Sequence, residues 1–176
     1  MPAATLALHP ETPGNAVRGI FARVSRERGI LRVSYVVEAD LELLRIPPSR
    51  PPRFADRLWQ HTCCELFVAR KGETRYHEFN FSPSGEWAAY AFSRYREQAA
   101  GDEPLDPQIT VHRAPDNLEL DAAIHCEAQG RLLLGLSAVI EDQDGTLSYW
   151  ALRHPAGKPD FHHPDAFALE LDEVRD

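Results

Sequence analysis

Apolar residues recur at every second position along most of this chain, and that period decides what it can fold into. Leu31, Val33, Tyr35 and Val37 alternate with Arg32, Ser34 and Glu38. Leu118, Leu120, Ala122, Ile124 and Cys126 alternate with Glu119, Asp121, His125 and Glu127. Leu132, Leu134, Leu136, Ala138 and Ile140 line one side of a further run. A period of two sends successive side chains to opposite faces, so these are half-buried strands. Helical periodicity is almost absent. Short turn signals separate the runs: Glu27-Arg28-Gly29, Arg70-Lys71-Gly72, Pro83-Ser84-Gly85, Ala128-Gln129-Gly130 and Gln143-Asp144-Gly145. Strands joined by such turns read as antiparallel hairpins.

The pattern predicts strands over 18–26, 30–39, 62–69, 74–82, 86–94, 108–113, 117–127, 131–141, 147–152 and 166–172. That many short strands point to an all-β sandwich or barrel. Three segments break the pattern and read as loops. Residues 47–53 carry four prolines, which fix φ and remove backbone donors. Residues 97–107 are polar with two prolines, and 154–164 are rich in histidine and proline. A short helix could begin within 93–100. With 176 residues, one domain is expected over 16–176, preceded by an N-terminal extension over 1–15.

The formal net charge of −8, with arginines scattered rather than clustered, argues against a nucleic-acid or membrane-surface partner. No apolar run approaches the ~20 residues that span a bilayer. The first residues lack the charged start and apolar middle of a signal peptide, so a cytoplasmic location is expected. Three cysteines, Cys63, Cys64 and Cys126, two of them adjacent, make a poor disulfide framework and read as small buried hydrophobes.

Candidate chemistry concentrates between Leu58 and Tyr95. Trp59 is placed at the start of a strand after the proline loop, Trp87 follows the Pro-Ser-Gly turn, and Trp150 sits in a late strand before the histidine-rich loop. All three fall near strand ends, which suits a cleft at the rim of a sandwich, although the default place for any one tryptophan is the core. Glu65 interrupts an apolar strand. A carboxylate there needs a partner, a ligand or an arginine across the sheet. Asn80 and Glu78 share a face with Tyr76; Glu78 reads as solvated surface, and Asn80 as a ligand contact or as a pin for the following turn. Tyr90 is a secondary candidate, as is His154. His154, Asp160, His162 and His163 share one loop and are weak metal candidates, because their spacing matches no compact motif. His61 and His77 read as structural. No Gly-x-Ser-x-Gly, no dinucleotide-binding glycine fingerprint and no phosphate loop is present.

The blocks Leu58–Phe67, Tyr76–Trp87, Leu136–Glu141, Ser148–Leu152 and His154-Pro155 resemble the DOMON-like proteins. These are relatives of the family-9 carbohydrate-binding modules and of the haem- or sugar-binding DOMON domains. The resemblance spans roughly residues 16–172 and implies a jelly-roll-like β-sandwich with a ligand cleft on one sheet. In the sugar-binding relatives two tryptophans clamp the terminal sugar. Trp59, with Glu65 six residues on, matches that tryptophan–carboxylate element, and Trp150 is the expected second wall. In the haem-binding relatives methionine and histidine hold the iron. Here the one methionine is Met1, which leaves a bis-histidine site from His61, His77 or the late loop.

The expectation is therefore a small-ligand-binding sandwich using Trp59, Glu65, Asn80, Trp87, Tyr90, Trp150 and His154, with a saccharide or sugar-like metabolite as ligand and no nucleophile. Three rivals stand beside it: a haem- or metal-binding redox domain with histidine ligands, a glycan-processing enzyme using Glu65 with Glu78 or Asp160, and a surface for a protein partner.

Overall fold

A computed structural model describes residues 3–100, 106–126 and 130–172. Ala128 and Gln129 of one expected turn, part of the polar segment 97–107, and both chain ends lie outside the described residues.

The alternating runs form twelve strands: β1 (Ala3–Leu8), β2 (Val17–Glu27), β3 (Ile30–Ala39), β4 (Cys63–Arg70), β5 (Tyr76–Phe81), β6 (Trp87–Arg94), β7 (Glu97–Gln98), β8 (Gln108–Ala114), β9 (Asn117–His125), β10 (Leu132–Glu141), β11 (Leu147–Ala151) and β12 (Leu169–Leu171). Pairing between them is antiparallel throughout. The hydrogen-bonded order is β7-β6-β5-β4-β10-β11-β1-β2-β3-β9-β8, with β12 on β10.

This path folds over at β1. Residues Ala3 to Leu6 pair with β2, whereas Ala7 and Leu8 pair with β11. One layer holds β1, β2, β3, β9 and β8; the other holds β4, β5, β6, β7, β10, β11 and β12. Their facing sides share one apolar core, with Ile20, Val33, Tyr35 and Leu120 from the first layer against Leu66, Phe81, Leu134 and Leu136 from the second. The Tyr35 hydroxyl crosses this core and donates to the Glu65 carbonyl at 2.6 Å. The architecture is thus the expected all-β sandwich.

Two expectations are corrected. The first fifteen residues are not merely an extension, because β1 joins the two layers. Its sequence hides this, since only Leu6 of Ala-Ala-Thr-Leu-Ala-Leu is buried. Nor does a helix begin within 93–100. Arg96 adopts a left-handed conformation (φ 54°) and turns β6 back onto β7. Among the described residues no helix is long and apolar enough to cross a membrane.

The second layer is buried on both faces. Seven of the eight residues of β4, Cys63 to Ala69, are inaccessible. Their outer-facing side chains join a second apolar cluster of Phe67, Ala69, Tyr76, Phe92, Val139, Ala151 and Phe161. The segment after β11 covers this face. It can lie close because position 135 is glycine: a Cβ there would come within 2.9 Å of the Phe167 ring and 3.2 Å of Phe67.

Candidate functional site

The outer face of the second layer carries the polar groups of the site. Strand alternation sends Cys64, Leu66 and Val68 into the core, and Cys63, Glu65 and Phe67 to the outer face. On β5 the outward set is Tyr76, Glu78 and Asn80. Register fixes their neighbours. Glu65 lies opposite Ser137 on one side and Asn80 on the other, while Glu78 lies between Phe67 and Tyr90. Glu65 and Glu78 are therefore diagonal neighbours, a relation that places Cα atoms about 7–8 Å apart.

Of these side chains Glu65 and Glu78 floor a cavity of about 800 Å³ whose walls include Trp59, Tyr90, Tyr149, Phe161 and His162. That is a size suited to a small molecule. Trp59 stands at the rim, 47 % exposed. It does not open a strand as expected. It sits in a 3-10 turn, Leu58–Gln60, entered through Arg57 in a left-handed conformation (φ 62°). The turn is held from both ends. Asp56 accepts a short hydrogen bond from the Tyr90 hydroxyl. His61 Nδ1 meets Glu141 Oε2 at 2.7 Å, and the same carboxylate receives Arg45 at 2.8 Å.

The proline segment is fastened in the same way. Arg50 N donates to the Ser84 carbonyl at 2.8 Å, and Arg53 pairs with Glu86 at 2.8 Å. The opposite wall is the 154–164 loop. Arg96 binds Asp160 at 2.8 Å, and the Tyr95 hydroxyl donates to the same carboxylate at 2.6 Å. The His162 ring packs edge-on against Phe67 and Phe92, with centroids 5.1 and 5.0 Å away.

Burial sets the electrostatics. Glu65 and Glu78 are 3 % and 5 % exposed. Withdrawal from water disfavours the charged form. It drives the Glu65 carboxyl well above the usual range, and the Glu78 charge pushes it further. Glu78 is raised to about 7 by burial, against the opposing pull of the Asn80 amide and the Arg96 charge. Asn80 Nδ2 donates to Glu78 Oε1 at 3.0 Å. His162 moves the other way, down to about 4, because burial and the Arg96 cation both oppose its protonation, with only Asp160 favouring it. The imidazole is therefore neutral near pH 7. Tyr76 Oη lies 2.9 Å from its Nδ1, and its Nε2 lies 3.5 Å from Glu78 Oε2.

Of the residues expected from sequence, Trp59, Glu65 and Tyr90 line this cavity. Asn80 is buried beside Glu65 and binds Glu78, rather than pinning the next turn; Ser82 and Ser84 do that. Trp87 and Trp150, 5 % and 6 % exposed, belong to the sandwich core and are not cleft walls. The reason is parity. Tyr149 takes the outward position on β11, so its neighbour Trp150 points inward, where Nε1 donates to Ser148 Oγ at 3.0 Å. His154 is also elsewhere, with Nε2 2.7 Å from the Ala7 carbonyl and its ring edge-on to His9 at 4.8 Å.

Glu78 is not solvated surface but floor. Glu65 meets no arginine; its charged neighbour is Glu78. The metal candidates do not assemble. Asp160 is bound to Arg96, and His163 faces Asp165 at 3.7 Å. Among the described residues no three His, Cys, Asp or Glu side chains converge to hold a metal ion. Of the histidines considered for haem outside the late loop, His61 is paired with Glu141, and His77 stacks on Phe79 on the core-facing side of β5. Sequence reasoning took Glu78 only for surface or for the acid partner of Glu65, took His162 only for a metal candidate, and missed Tyr149 and Phe161. The signal for the first was available: Glu78 shares its face with Asn80, beside a strand that is apolar on both sides.

No family model and no curated protein matches the chain. Solved structures do. A candidate carbohydrate-binding protein from Bacteroides uniformis superposes with a TM-score of 0.68 at 16% identity, covering 98% of this chain and 86% of that one. A family-9 carbohydrate-binding module from Caldicellulosiruptor kristjanssonii, in complex with glucose, gives 0.65 at 11% identity over 90% of this chain and 78% of that one. Such a module from the same organism in complex with cellotriose gives 0.66 at 10% identity, covering 97% and 81%. These likenesses show the fold: an all-β sandwich of the kind found in family-9 carbohydrate-binding modules.

Proposed function

We propose that this chain is a non-catalytic ligand-binding sandwich that receives a saccharide or sugar-like metabolite in the cavity beneath Trp59. One observation carries the reading: a half-exposed indole and two buried carboxyl groups line the same cavity. An indole face stacks on the apolar face of a sugar ring, and carboxyl oxygens accept from ring hydroxyls. Tyr90 and Tyr149 add aromatic walls, and Asn80 orients Glu78. The complexes of structural neighbours with glucose and cellotriose support the choice of ligand class. We retain the DOMON-like kinship on the motif blocks around Trp59 and Tyr76. We also retain a cytoplasmic setting, with which three unpaired cysteines are compatible.

Tryptophan fluorescence tests the reading cleanly, because Trp87 and Trp150 are shielded in the core. Glucose or cellotriose should change the emission of wild type. Trp59→Ala should abolish that response without lowering the melting temperature by more than a surface change does. A broad glycan panel that alters neither emission nor melting temperature would remove the assignment.

A second reading, hydrolysis of a glycosidic bond, is favoured by the pair of carboxyls in unequal surroundings, since such pairs serve as acid and base. Turnover of chromogenic glycosides that disappears in Glu65→Gln would select it over simple binding.

A further inference from the structure

We infer that the cavity recognises a positively charged ligand, an ammonium group carried on a sugar-sized ring, of which an amino sugar is the simplest example. The inference rests on the saccharide reading for the ring and on the polar inventory of the cavity floor for the charge.

Glu65 and Glu78 lie side by side, nearly inaccessible to water. Buried carboxylates require cations or several donors. The surrounding protein supplies few. The charge that acts on the Glu65 carboxyl is that of Glu78, and the Tyr35 hydroxyl goes to the Glu65 backbone carbonyl rather than to its carboxyl. Glu78 receives one amide N–H from Asn80 and faces an imidazole at 3.5 Å. The nearby cations are committed elsewhere: Arg96 to Asp160 at 2.8 Å, Arg94 to Glu97 at 2.7 Å, Arg45 to Glu141 at 2.8 Å. Arg57, at the rim, turns its exposed guanidinium towards Asp56 at 4.0 Å.

A second, independent observation marks the same spot. Asn80 Oδ1 and Ser137 Oγ are buried without any hydrogen-bond partner. Both residues flank Glu65 in one cross-strand row, Ser137–Glu65–Asn80. Buried polar atoms are rarely left in this state. The floor therefore offers the Glu65 and Glu78 carboxyls, with an amide oxygen and a hydroxyl buried unpaired on either side of Glu65, and no cation among them. An ammonium is the complementary group, with three donors and no acceptor. A neutral hydroxyl brings one donor and cannot draw the pair into the ionised form that burial otherwise disfavours. Faces of Trp59, Tyr90 and Tyr149 add the quadrupole that attracts cations. A divalent metal ion is a poorer match, because among the described residues no three His, Cys, Asp or Glu side chains converge here.

Calorimetric titration of the full chain tests this, with four probes at a pH where the amines carry their proton: glucosamine, glucose, N-acetylglucosamine and cyclohexylamine. A charge-assisted contact should make glucosamine bind at least about tenfold tighter than glucose or N-acetylglucosamine. Glu78→Gln, nearly isosteric and checked for an intact melting transition, should erase that preference, so that the ratio of glucosamine to glucose affinity falls to about one; a ratio that stays at about ten or more would overturn the charge inference. Equal affinity for glucose and glucosamine would overturn the charge inference and leave the saccharide reading in place. Cyclohexylamine binding as tightly as glucosamine would keep the cation and remove the sugar. Competition by millimolar calcium or magnesium that abolishes glucosamine binding would overturn the ammonium in favour of a metal, and silence with all four probes would overturn both readings.

Discussion

Replacing Glu78 and His162 one at a time by glutamine should tilt the pH profile of folding stability in opposite directions. The two groups face each other across 3.5 Å and carry opposite shifts. Glu78 is raised from 4.5 to about 7, so between these values the folded state holds a proton that the unfolded chain releases. Its stabilising effect is present at low pH and is lost as pH rises through 7. His162 is lowered from 6.5 to about 4, so the unfolded chain binds the proton that the folded state refuses. Its contribution therefore grows as pH rises to about 6.5. Integrated from pH 5.0 to 7.5, Glu78 removes about 2 kcal/mol and His162 restores about 2 kcal/mol. In wild type the two largely cancel, leaving the downward slope that Glu65 adds.

Neither shift comes from the other group: burial and Arg96 act on both, with Asn80 acting on Glu78 and Asp160 on His162. Each should therefore persist when the other residue is changed. The assay is urea denaturation at pH 5.0 and 7.5. Relative to wild type, the stability difference between the two pH values should move by about +2 kcal/mol in Glu78→Gln and by about −2 kcal/mol in His162→Gln. Two variants that shift in the same direction, or not at all, would refute the buried and opposed placement of these groups.

Tyr35→Phe removes the hydroxyl that links the two layers and leaves the Glu65 carbonyl with one bond fewer. It should cost about 1–2 kcal/mol in denaturant unfolding at an unchanged m-value. A neutral result would show that the inter-layer bond is not formed. Cys63 and Cys64 are fully buried, and burial with the nearby Glu65 charge raises the Cys64 thiol to about 12. A disulfide reagent should therefore label these two cysteines at the rate of unfolding; rapid stoichiometric labelling of either in the native protein would contradict the packing of β4. Gly135→Ala forces a methyl group against Phe167 and Phe67 and should lower the melting temperature, whereas an unchanged transition would mean that the covering segment does not lie on the sheet.

The strands were legible because their apolar period is strict. Leu31 to Val37 and Leu118 to Ile124 fall where alternation put them, on one wall of the core. The weak points were places where alternation carries little information. β1 is half alanine with a single buried residue, so its role in joining the layers leaves no mark in hydropathy. Arg96 closes a two-residue-wide hairpin through a left-handed residue that is not glycine, which composition does not announce. The site was half legible. Glu65 stood out as a charge in an apolar strand, and Trp59 followed from a motif.

The expectation of Trp150 as a cleft wall failed on a single step of parity. Strand ends alone do not say which face a residue takes; the pairing of Ala138 with Trp150 does, by placing both on the core side. His162 was read as a ligand candidate from its loop neighbours. Its surroundings, Phe67, Tyr76 and Phe92, come from strands sixty or more residues away, a proximity that no local pattern encodes.

The most direct measurement is a crystal structure of the protein grown with the saccharide or amino sugar that titrates most tightly in solution. The account predicts a ring seated against the Trp59 indole, with its polar groups turned down onto Glu65 and Glu78. A ring lodged at any other surface, with the hollow below Trp59 left to solvent, would contradict it.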